Sequence, residues 1–109
     1  MIVVHGLRAC DTCRKALREI EAAGRSARLR DLRLEPPREE EIDAWLAALG
    51  PDLLNRRSTT WRALSAEERE AAPAALMLAH PALIKRPVVE GPDGLLLGWN
   101  AASRGALGL

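Results

Sequence analysis

The first third of the chain shows a strand pattern, then a helix pattern, then a second strand pattern. Residues 2–5 are apolar and largely β-branched, which is typical of a short buried strand, and Gly6 ends it. The next segment places apolar side chains on one helical face at three- and four-residue spacing: Cys13, Ala16, Leu17, Ile20 and Ala23. Gly24 stands where a helix C-cap belongs. Residues 27–34 predict a second strand whose alternation slips near Asp31, which indicates a bulge or an early end.

The middle of the chain predicts helices joined by polar segments. Two prolines followed by three glutamates, residues 36–41, favour a helix start, because carboxylates complement the positive end of the helix dipole. This helix buries one stripe and ends at Gly50: the stripe is Ile42, Trp45, Leu46 and Leu49. Residues 53–64 read as a loop with one helical turn. A capping box at Ser65 and a short helix over 73–79 follow.

The last quarter of the chain predicts a hairpin and a final helix. Residues 83–90 run into a strand, residues 91–94 form a strong turn, and residues 95–99 form the returning strand. Asn100 is placed to cap a short last helix. The order strand, helix, strand, helices, hairpin, helix predicts an α/β fold with a mixed sheet of about four strands. A crossover helix is expected to join the first two strands.

Composition limits the range of functions. With 109 residues, 11.9 kDa and 48% hydrophobic residues, the chain is expected to form a single domain over residues 1–109. Its 16 basic and 15 acidic side chains leave a net charge of +1, so no direct binding of nucleic acid or membrane is expected, and a monomer is favoured. The N-terminal apolar run is too short for a signal peptide, and no stretch approaches the length of a membrane span. A cytoplasmic protein is expected.

The two cysteines indicate chemistry, because a structural disulfide is improbable in a reducing cytosol. Cys10 and Cys13 form a C-x-x-C motif between the first strand and the first helix, so Cys10 lies at the positive end of the helix dipole. This environment favours the thiolate; Arg8, Arg14 and Lys15 act in the same direction and Asp11 opposes them. Cys10 is expected to be the exposed nucleophile. Cys13 is expected to be buried and placed to resolve a mixed disulfide.

Two other interpretations of the cysteines are weighed against this one. The pair could pack as small hydrophobic residues without reacting. It could also form half of a zinc site with His5 and His80, although the chain lacks a second C-x-x-C and an H-x₃₋₅-H pair. No metal is therefore expected.

Three segments carry a resemblance to a known family: residues 5–16 (HGLRACDTCRKA), 59–62 (TTWR) and 80–89 (HPALIKRPVV). The chain resembles the arsenate reductase ArsC/Spx/YffB family over nearly its whole length, and residues 59–62 look closest to the YffB-like branch. The resemblance implies a thioredoxin-like fold with a helical insertion at about residues 38–80.

The resemblance also implies roles for individual residues. Cys10 would be the nucleophile, and Arg86 would reach its thiolate or a bound oxyanion. The bond from Arg86 to Pro87 would be cis, which occurs in only about 5–6% of X–Pro bonds. Arg57 matches an arginine shared by the YffB-like and Spx-type branches and is the second candidate for anion binding. Pro87 and the two residues between the cysteines, Asp11 and Thr12, complete the expected substrate site.

The chain departs from the arsenate reductases at three positions. Those enzymes bring three arginines to the oxyanion, and only Arg86 aligns cleanly; the other two positions fall on Asn55 and Gly98. A missing charge-assisted bond is worth about 1.5–3 kcal/mol, so arsenate reduction is expected to be inefficient. Cys13 stands where the arsenate reductases carry Ser, whereas Spx-type regulators have C-x-x-C.

The leading functional hypothesis is a glutathione-dependent thiol-disulfide reductase of the ArsC family that uses Cys10 as nucleophile. Its expected partners are glutathione or glutaredoxin and a small disulfide, thiol or oxyanion substrate, with glutathione as co-substrate and no tightly bound cofactor. One alternative is an Spx-type redox-sensing transcription regulator that binds the RNA polymerase α subunit. The other is an arsenate reductase coupled to glutathione and glutaredoxin.

Overall fold

The fold is built on one mixed sheet of four strands in the order β2-β1-β3-β4. The computed structural model describes residues 1–109. The strands are β1 (Ile2–Gly6), β2 (Ala27–Asp31), β3 (Val88–Gly91) and β4 (Gly94–Leu97). The helices are α1 (Asp11–Ala22), α2 (Glu39–Leu49), α3 (Thr59–Ala63), α4 (Pro73–Ala79) and α5 (Ala101–Ala106). β1 and β2 are parallel and joined through α1, and the other two pairings are antiparallel, which confirms the predicted mixed α/β sheet.

The chain forms two compact units. The first contains Met1–Glu35 and Arg86–Leu109, so it holds the whole sheet together with α1 and α5. The second is Pro36–Lys85 and contains the three remaining helices. The helical insertion predicted at about residues 38–80 falls within the second unit, and the single domain over residues 1–109 stays a prediction.

The core of the first unit lies between one sheet face and two helices. Its buried members are Ile2, Val4, Cys13, Ala16, Ile20, Val89 and Leu107. The α1 residues among them share the face that the helical spacing predicted, with Leu17 partly buried. Ala23 was expected on this face but is exposed, because the helix has already ended at Ala22. Cys13 is therefore a core residue as well as a member of the motif.

The end of α1 follows the predicted glycine cap. Gly24 has φ +78, and its N–H donates to the carbonyl of Glu21 at 2.9 Å. The N–H of Arg25 donates to the carbonyl of Ile20 at 3.2 Å, which completes a Schellman motif. The chain then turns back into β2.

β2 ends at Asp31, where the apolar alternation slips. The pairing from Ile2–Ala27 to Gly6–Asp31 is continuous, so the strand ends early and carries no bulge. The carbonyl of Asp31 accepts N–H groups from Leu34 and Glu35, which turns the chain out of the sheet.

The second unit is held by helix caps and by a stacked tryptophan. α2 begins at Glu39 with Arg38 as its N-cap, so the two prolines precede the helix and do not fill its first turn. Glu41 accepts the Arg38 N–H at 3.0 Å. Ile42 and Trp45 are fully buried, and the other two predicted stripe positions are partly buried.

Trp61 in α3 packs against two guanidinium groups of the same unit. The guanidinium carbons of Arg56 and Arg69 lie 5.6 and 5.2 Å from the ring centroid, within cation–π range. The predicted capping box is confirmed, because the backbone N–H groups of Ser65 and Glu68 each donate to the other's side chain.

β4 is shorter than predicted. It ends at Leu97 rather than at residue 99, because Gly98 takes φ +77 and turns the chain out of the strand. The side chain of Asn100 accepts the N–H of Ser103, which confirms it as the cap of α5. None of the helices is long and apolar enough to span a membrane.

Candidate functional site

Cys10 is the N-cap residue of α1. Its backbone is extended, with φ −83 and ψ 119, and its carbonyl accepts the N–H of Arg14 at 3.0 Å. Its own N–H donates to the carbonyl of Leu7 at 3.1 Å, which closes a tight turn between β1 and the helix. The Cys10 thiol is half-buried, so a reagent can reach it at the end of the helix that carries positive partial charge.

A buried carboxylate at the end of β2 holds the turn that precedes Cys10. Asp31 is 6% exposed, and its two oxygens accept N–H groups from Arg8 at 3.1 Å and Arg33 at 2.8 Å. These two N–H groups hold the pKa of Asp31 below its ordinary value, although the desolvation of the carboxylate opposes them. The carboxylate thus fixes the backbone between β1 and α1.

The surroundings of Cys10 favour its thiolate. Burial by itself raises the pKa of this thiol. The backbone N–H and the thiol of Cys13 oppose the burial, as do the charge of Arg86 and the N–H of Thr12, and together they bring the pKa of Cys10 below its ordinary value. Cys10 therefore has the two properties of a reactive cysteine, namely access to reagents and a stabilised thiolate.

Cys13 has the opposite properties. Its side chain is fully buried, and this burial is the main reason that its pKa is raised to about 12. The Cys10 sulfur beside it raises the pKa further, while the N–H of Leu7 and the charge of Arg86 lower it. Both cysteines are free thiols. Cys13 is more buried than Cys10, as the sequence predicted, and their roles as resolving thiol and nucleophile stay predictions.

Gly6 makes room for the second cysteine. A β-carbon at position 6 would lie 2.3 Å from the Cys13 sulfur, 3.3 Å from its Cβ and 4.0 Å from the Cβ of Arg86. The backbone at the end of β1 therefore lies directly against Cys13. No side chain fits there unless the cysteine moves.

Arg86 and Pro87 lie on the other side of the site, just before β3. The Arg86–Pro87 bond is cis, as the family resemblance implies. Pro87 is buried, and its carbonyl accepts the N–H of Gly98 at 2.8 Å, so the segment is tied to the end of β4. Arg86 is half-buried, and its charge acts on both cysteines.

Arg86 is the cation that acts most strongly on the Cys10 thiolate. The sequence had suggested Arg8, Arg14 and Lys15 for this role. Arg14 donates to the carboxylate of Asp11 at 2.5 Å, so that ion pair neutralises its charge. The backbone N–H of Arg8 donates to Asp31, and its side chain is exposed. Lys15 acts on the carboxylate of Glu19.

The two residues between the cysteines differ in their contributions. The side chain of Asp11 is 91% exposed and paired with Arg14. Thr12 contributes its backbone N–H to the Cys10 sulfur, and its side chain is exposed. Backbone N–H groups, rather than side chains, thus form the anion-stabilising part of the motif.

Arg57 belongs to the second unit. Its N–H donates to the side chain of Asn55 at 3.1 Å, and its carbonyl accepts from Arg62 at 3.1 Å. It lines a surface cleft together with Asp52, Leu54, Asn55, Arg56 and Lys85. The role of Arg57 as a second anion-binding residue stays a prediction.

His5, one of the zinc candidates, takes part in a row of polar side chains across three strands. Its Nε2 lies 3.4 Å from a carboxylate oxygen of Glu90, and its Nδ1 lies 3.4 Å from a guanidinium nitrogen of Arg30. No cluster of three or more histidine, cysteine or acidic side chains in residues 1–109 could hold a metal ion.

Sequence reasoning missed two residues that shape the site. The sequence pattern identifies Gly6 only as a strand terminator, although a glycine in a strand also marks a close approach of another group. It identifies Asp31 only as a break in the apolar alternation. Its bond to the N–H of Arg33 is a local Asx turn that the residue type suggests, but its bond to Arg8 depends on strand pairing and has no local signal.

Comparison with known proteins agrees with this architecture. The sequence pattern of the ArsC family matches residues 5–107. An uncharacterised protein of Haemophilus influenzae is 32% identical over an alignment of 105 residues, and the match covers 92% of this chain and 92% of that one. A solved structure of a YffB protein is 30% identical, with a TM-score of 0.89 and 98% of each chain covered. An arsenate reductase-related protein from Brucella melitensis is 34% identical with a TM-score of 0.74, covering 96% of this chain and 92% of that one.

This chain has the thioredoxin-like α/β fold with a four-stranded mixed sheet, as the sequence predicted. The match over residues 5–107 includes both cysteines, Arg86 and the cis proline. The chain belongs to the ArsC family, a family of thiol reductases and related proteins.

Proposed function

We propose that this protein is a thiol-disulfide reductase that uses Cys10 as its nucleophile and glutathione or glutaredoxin as its reductant. The observation that carries the proposal is the position of Cys10, half-buried at the N-cap of α1, with Arg86 and two backbone N–H groups favouring its thiolate. A thiolate that reagents can reach is the species that attacks disulfides. Membership of the ArsC family supports the same chemistry.

The reaction begins when the Cys10 thiolate attacks one sulfur of a substrate disulfide. A bond forms between Cys10 and that sulfur, the substrate S–S bond breaks, and the other half leaves as a thiolate. Glutathione then reduces the mixed disulfide, and over a full cycle two glutathione thiols supply the two electrons that convert the substrate disulfide to two thiols. Arg86 stabilises the Cys10 anion at the start and at the end of this cycle.

The site is less suited to binding arsenate than to binding a disulfide. Gly98 stands where the family's arsenate reductases carry an oxyanion-binding arginine, according to the resemblance, and in this chain it is buried with φ +77. The N–H of Gly98 donates to the carbonyl of Pro87 at 2.8 Å, and the carbonyl of Gly98 accepts the hydroxyl of Ser103 at 2.7 Å. Position 98 therefore has a structural role and contributes no charge, which favours a disulfide over a dianionic oxyanion as substrate.

The test is turnover of a small disulfide, hydroxyethyl disulfide, in the presence of glutathione and glutathione reductase. The wild-type protein is expected to reduce the disulfide. Cys10→Ser is expected to lose this activity, because a hydroxyl is not ionised near neutral pH. Ala9→Ser serves as the matched control, since it adds a hydroxyl next to Cys10 on an exposed residue and leaves both thiols in place. Equal rates for the wild-type and Cys10→Ser proteins would falsify the proposal.

A further inference from the structure

The turn between β1 and α1 is weakly anchored by its own side chains. Arg8 and Ala9, the two residues in the middle of the turn, are exposed. Within the turn, the N–H of Cys10 donates to the carbonyl of Leu7 at 3.1 Å. This bond closes the turn on itself, so the position of the turn relative to the sheet depends on bonds from neighbouring elements.

The end of β2 supplies those bonds. Gly6 and Asp31 form the last pair of the parallel ladder between β1 and β2. Just beyond this pair, the N–H of Leu32 donates to the carbonyl of Gly6 at 2.8 Å, and the N–H of Arg8 donates to the Asp31 carboxylate at 3.1 Å. No other hydrogen bond reaches the backbone of Arg8. The Asp31 carboxylate therefore attaches the middle of the turn to the sheet.

The Asp31 carboxylate is fully used by backbone groups. It belongs to a residue that is 6% exposed, and its second oxygen accepts the N–H of Arg33 at 2.8 Å. Hydrogen bonds to an ionised acceptor are roughly twice as strong as bonds between neutral groups. A single buried anion thus joins the turn that precedes Cys10 to the turn that follows β2.

The place of Cys10 at the helix end depends on this turn. Cys10 is the N-cap of α1, and its carbonyl accepts the N–H of Arg14 at 3.0 Å, while its own N–H is held by the turn. The influence of a helix N-terminus on a negative charge falls off within the first helical turn. Any shift of Cys10 away from α1 therefore weakens the stabilisation of its thiolate.

We propose that Asp31 is a positioning residue for Cys10: through its bond to the N–H of Arg8, the carboxylate holds the turn that keeps the Cys10 sulfur at the N-terminus of α1. This inference rests on the proposed function, because it concerns the reactivity of the proposed nucleophile. The charge of the carboxylate alone would act in the opposite direction, since a negative charge near a thiol disfavours the thiolate. Loss of the anchor and loss of the charge therefore change the reactivity of Cys10 with opposite signs.

The first experiment measures amide hydrogen exchange at Arg8 and Arg33 by NMR, in the wild-type protein and in Asp31→Asn. The asparagine side chain has one acceptor oxygen, which is expected to keep the local turn with the N–H of Arg33. The N–H of Arg8 then loses its acceptor, and its protection is expected to fall tenfold or more. An Arg8 amide that exchanges equally fast in both proteins would show that the carboxylate does not hold the turn.

The second experiment measures the rate of Cys10 alkylation by iodoacetamide against pH, followed at the Cys10 peptide. In Asp31→Asn the profile is expected to move to higher pH, with a rate at neutral pH that is roughly three- to tenfold lower. Asp93→Asn removes the same charge from the exposed turn between β3 and β4 and should leave the profile in place. Ile42→Val deletes one buried methylene from the second unit, so it controls for a general loss of stability.

An unshifted profile in folded Asp31→Asn, or a shift to lower pH, would overturn the inference and leave the proposed function standing. Failure of the proposed function is seen separately, in disulfide turnover by Cys10→Ser, because alkylation requires neither a disulfide nor glutathione. If Asp31→Asn does not fold, as judged by circular dichroism, Asp31→Ser takes its place in both experiments, since its hydroxyl can form the local turn with the N–H of Arg33.

Discussion

The backbone of Gly6 and the sulfur of Cys13 are in direct contact, and a β-carbon on Gly6 would stand 2.3 Å from that sulfur. The strand end and the second cysteine therefore form one packed unit. Any side chain at position 6 must displace Cys13 or bend β1.

Gly6→Ala is expected to lower the free energy of unfolding by about 1–3 kcal/mol, the usual cost of overpacking a core. Urea denaturation measures it. Gly105→Ala is the control, because a β-carbon there meets nothing within 4 Å and helical alanine is favoured over glycine by about 0.5–1 kcal/mol. In a Cys13→Ala background the cost of Gly6→Ala should shrink, since the clashing sulfur is gone. An equal cost in both backgrounds would show that the strain lies elsewhere.

Arg86→Ala is expected to raise the pKa of Cys10, because it removes the positive charge that favours the thiolate. Alkylation by iodoacetamide at neutral pH should slow roughly three- to tenfold, with Arg86→Lys between the two. The double variant with Asp11→Asn and Arg14→Gln is the matched control: it removes both members of one ion pair and leaves the net charge unchanged, so the alkylation rate should change little. A larger effect of the double variant than of Arg86→Ala would contradict the assignment of the cation.

Asp31→Asn is expected to destabilise the fold at neutral pH and to have less effect in acid. The folded pKa of Asp31 lies below its unfolded value of about 3.9, so the carboxylate stabilises the native state above that pH. This contribution is lost as pH falls through the folded pKa. Urea denaturation at pH 7 and near pH 3 measures the difference between variant and wild type. Asp43→Asn, which removes the same charge from an exposed site on α2, is the control for the loss of a negative charge.

Arg57→Ala tests the predicted second anion-binding residue. If Arg57 holds a glutathione carboxylate, the half-saturating glutathione concentration should rise tenfold or more, since a charge-assisted bond is worth about 1.5–3 kcal/mol. Alkylation of Cys10 by the neutral reagent iodoacetamide should be unchanged. Arg56→Ala removes an equal charge from the same cleft, so equal effects in the two variants would indicate a general field instead of a specific contact.

Local signals in the sequence were sufficient for most of the fold. The spacing of Cys13, Ala16 and Ile20 identified the buried face of α1, and the glycine and asparagine caps identified two helix boundaries. The slip at Asp31 correctly marked the end of β2. Each of these depends on neighbours within a few residues, which is the range over which helix and strand periodicity acts.

The site needed information that local patterns do not contain. The sequence suggested that cations near the motif act on Cys10, but Arg14 pairs with Asp11 one helical turn away, and the acting charge comes from Arg86. The contact of Gly6 with Cys13 likewise depends on how α1 packs on the sheet. The arginine and the cis bond were found through family resemblance, because residues distant along the chain meet only through the tertiary fold.

The conformation at Gly98 limits how this site can change during evolution. At φ +77, with both backbone groups bonded, an arginine there would have to adopt a left-handed conformation within a buried turn. Replacing Gly98 by arginine alone is therefore not expected to add an oxyanion-binding side chain. The turn between β4 and α5 would have to change its conformation at the same time. The main-chain conformation at this turn therefore restricts which side chains the site can acquire, in addition to the restriction set by its present side chains.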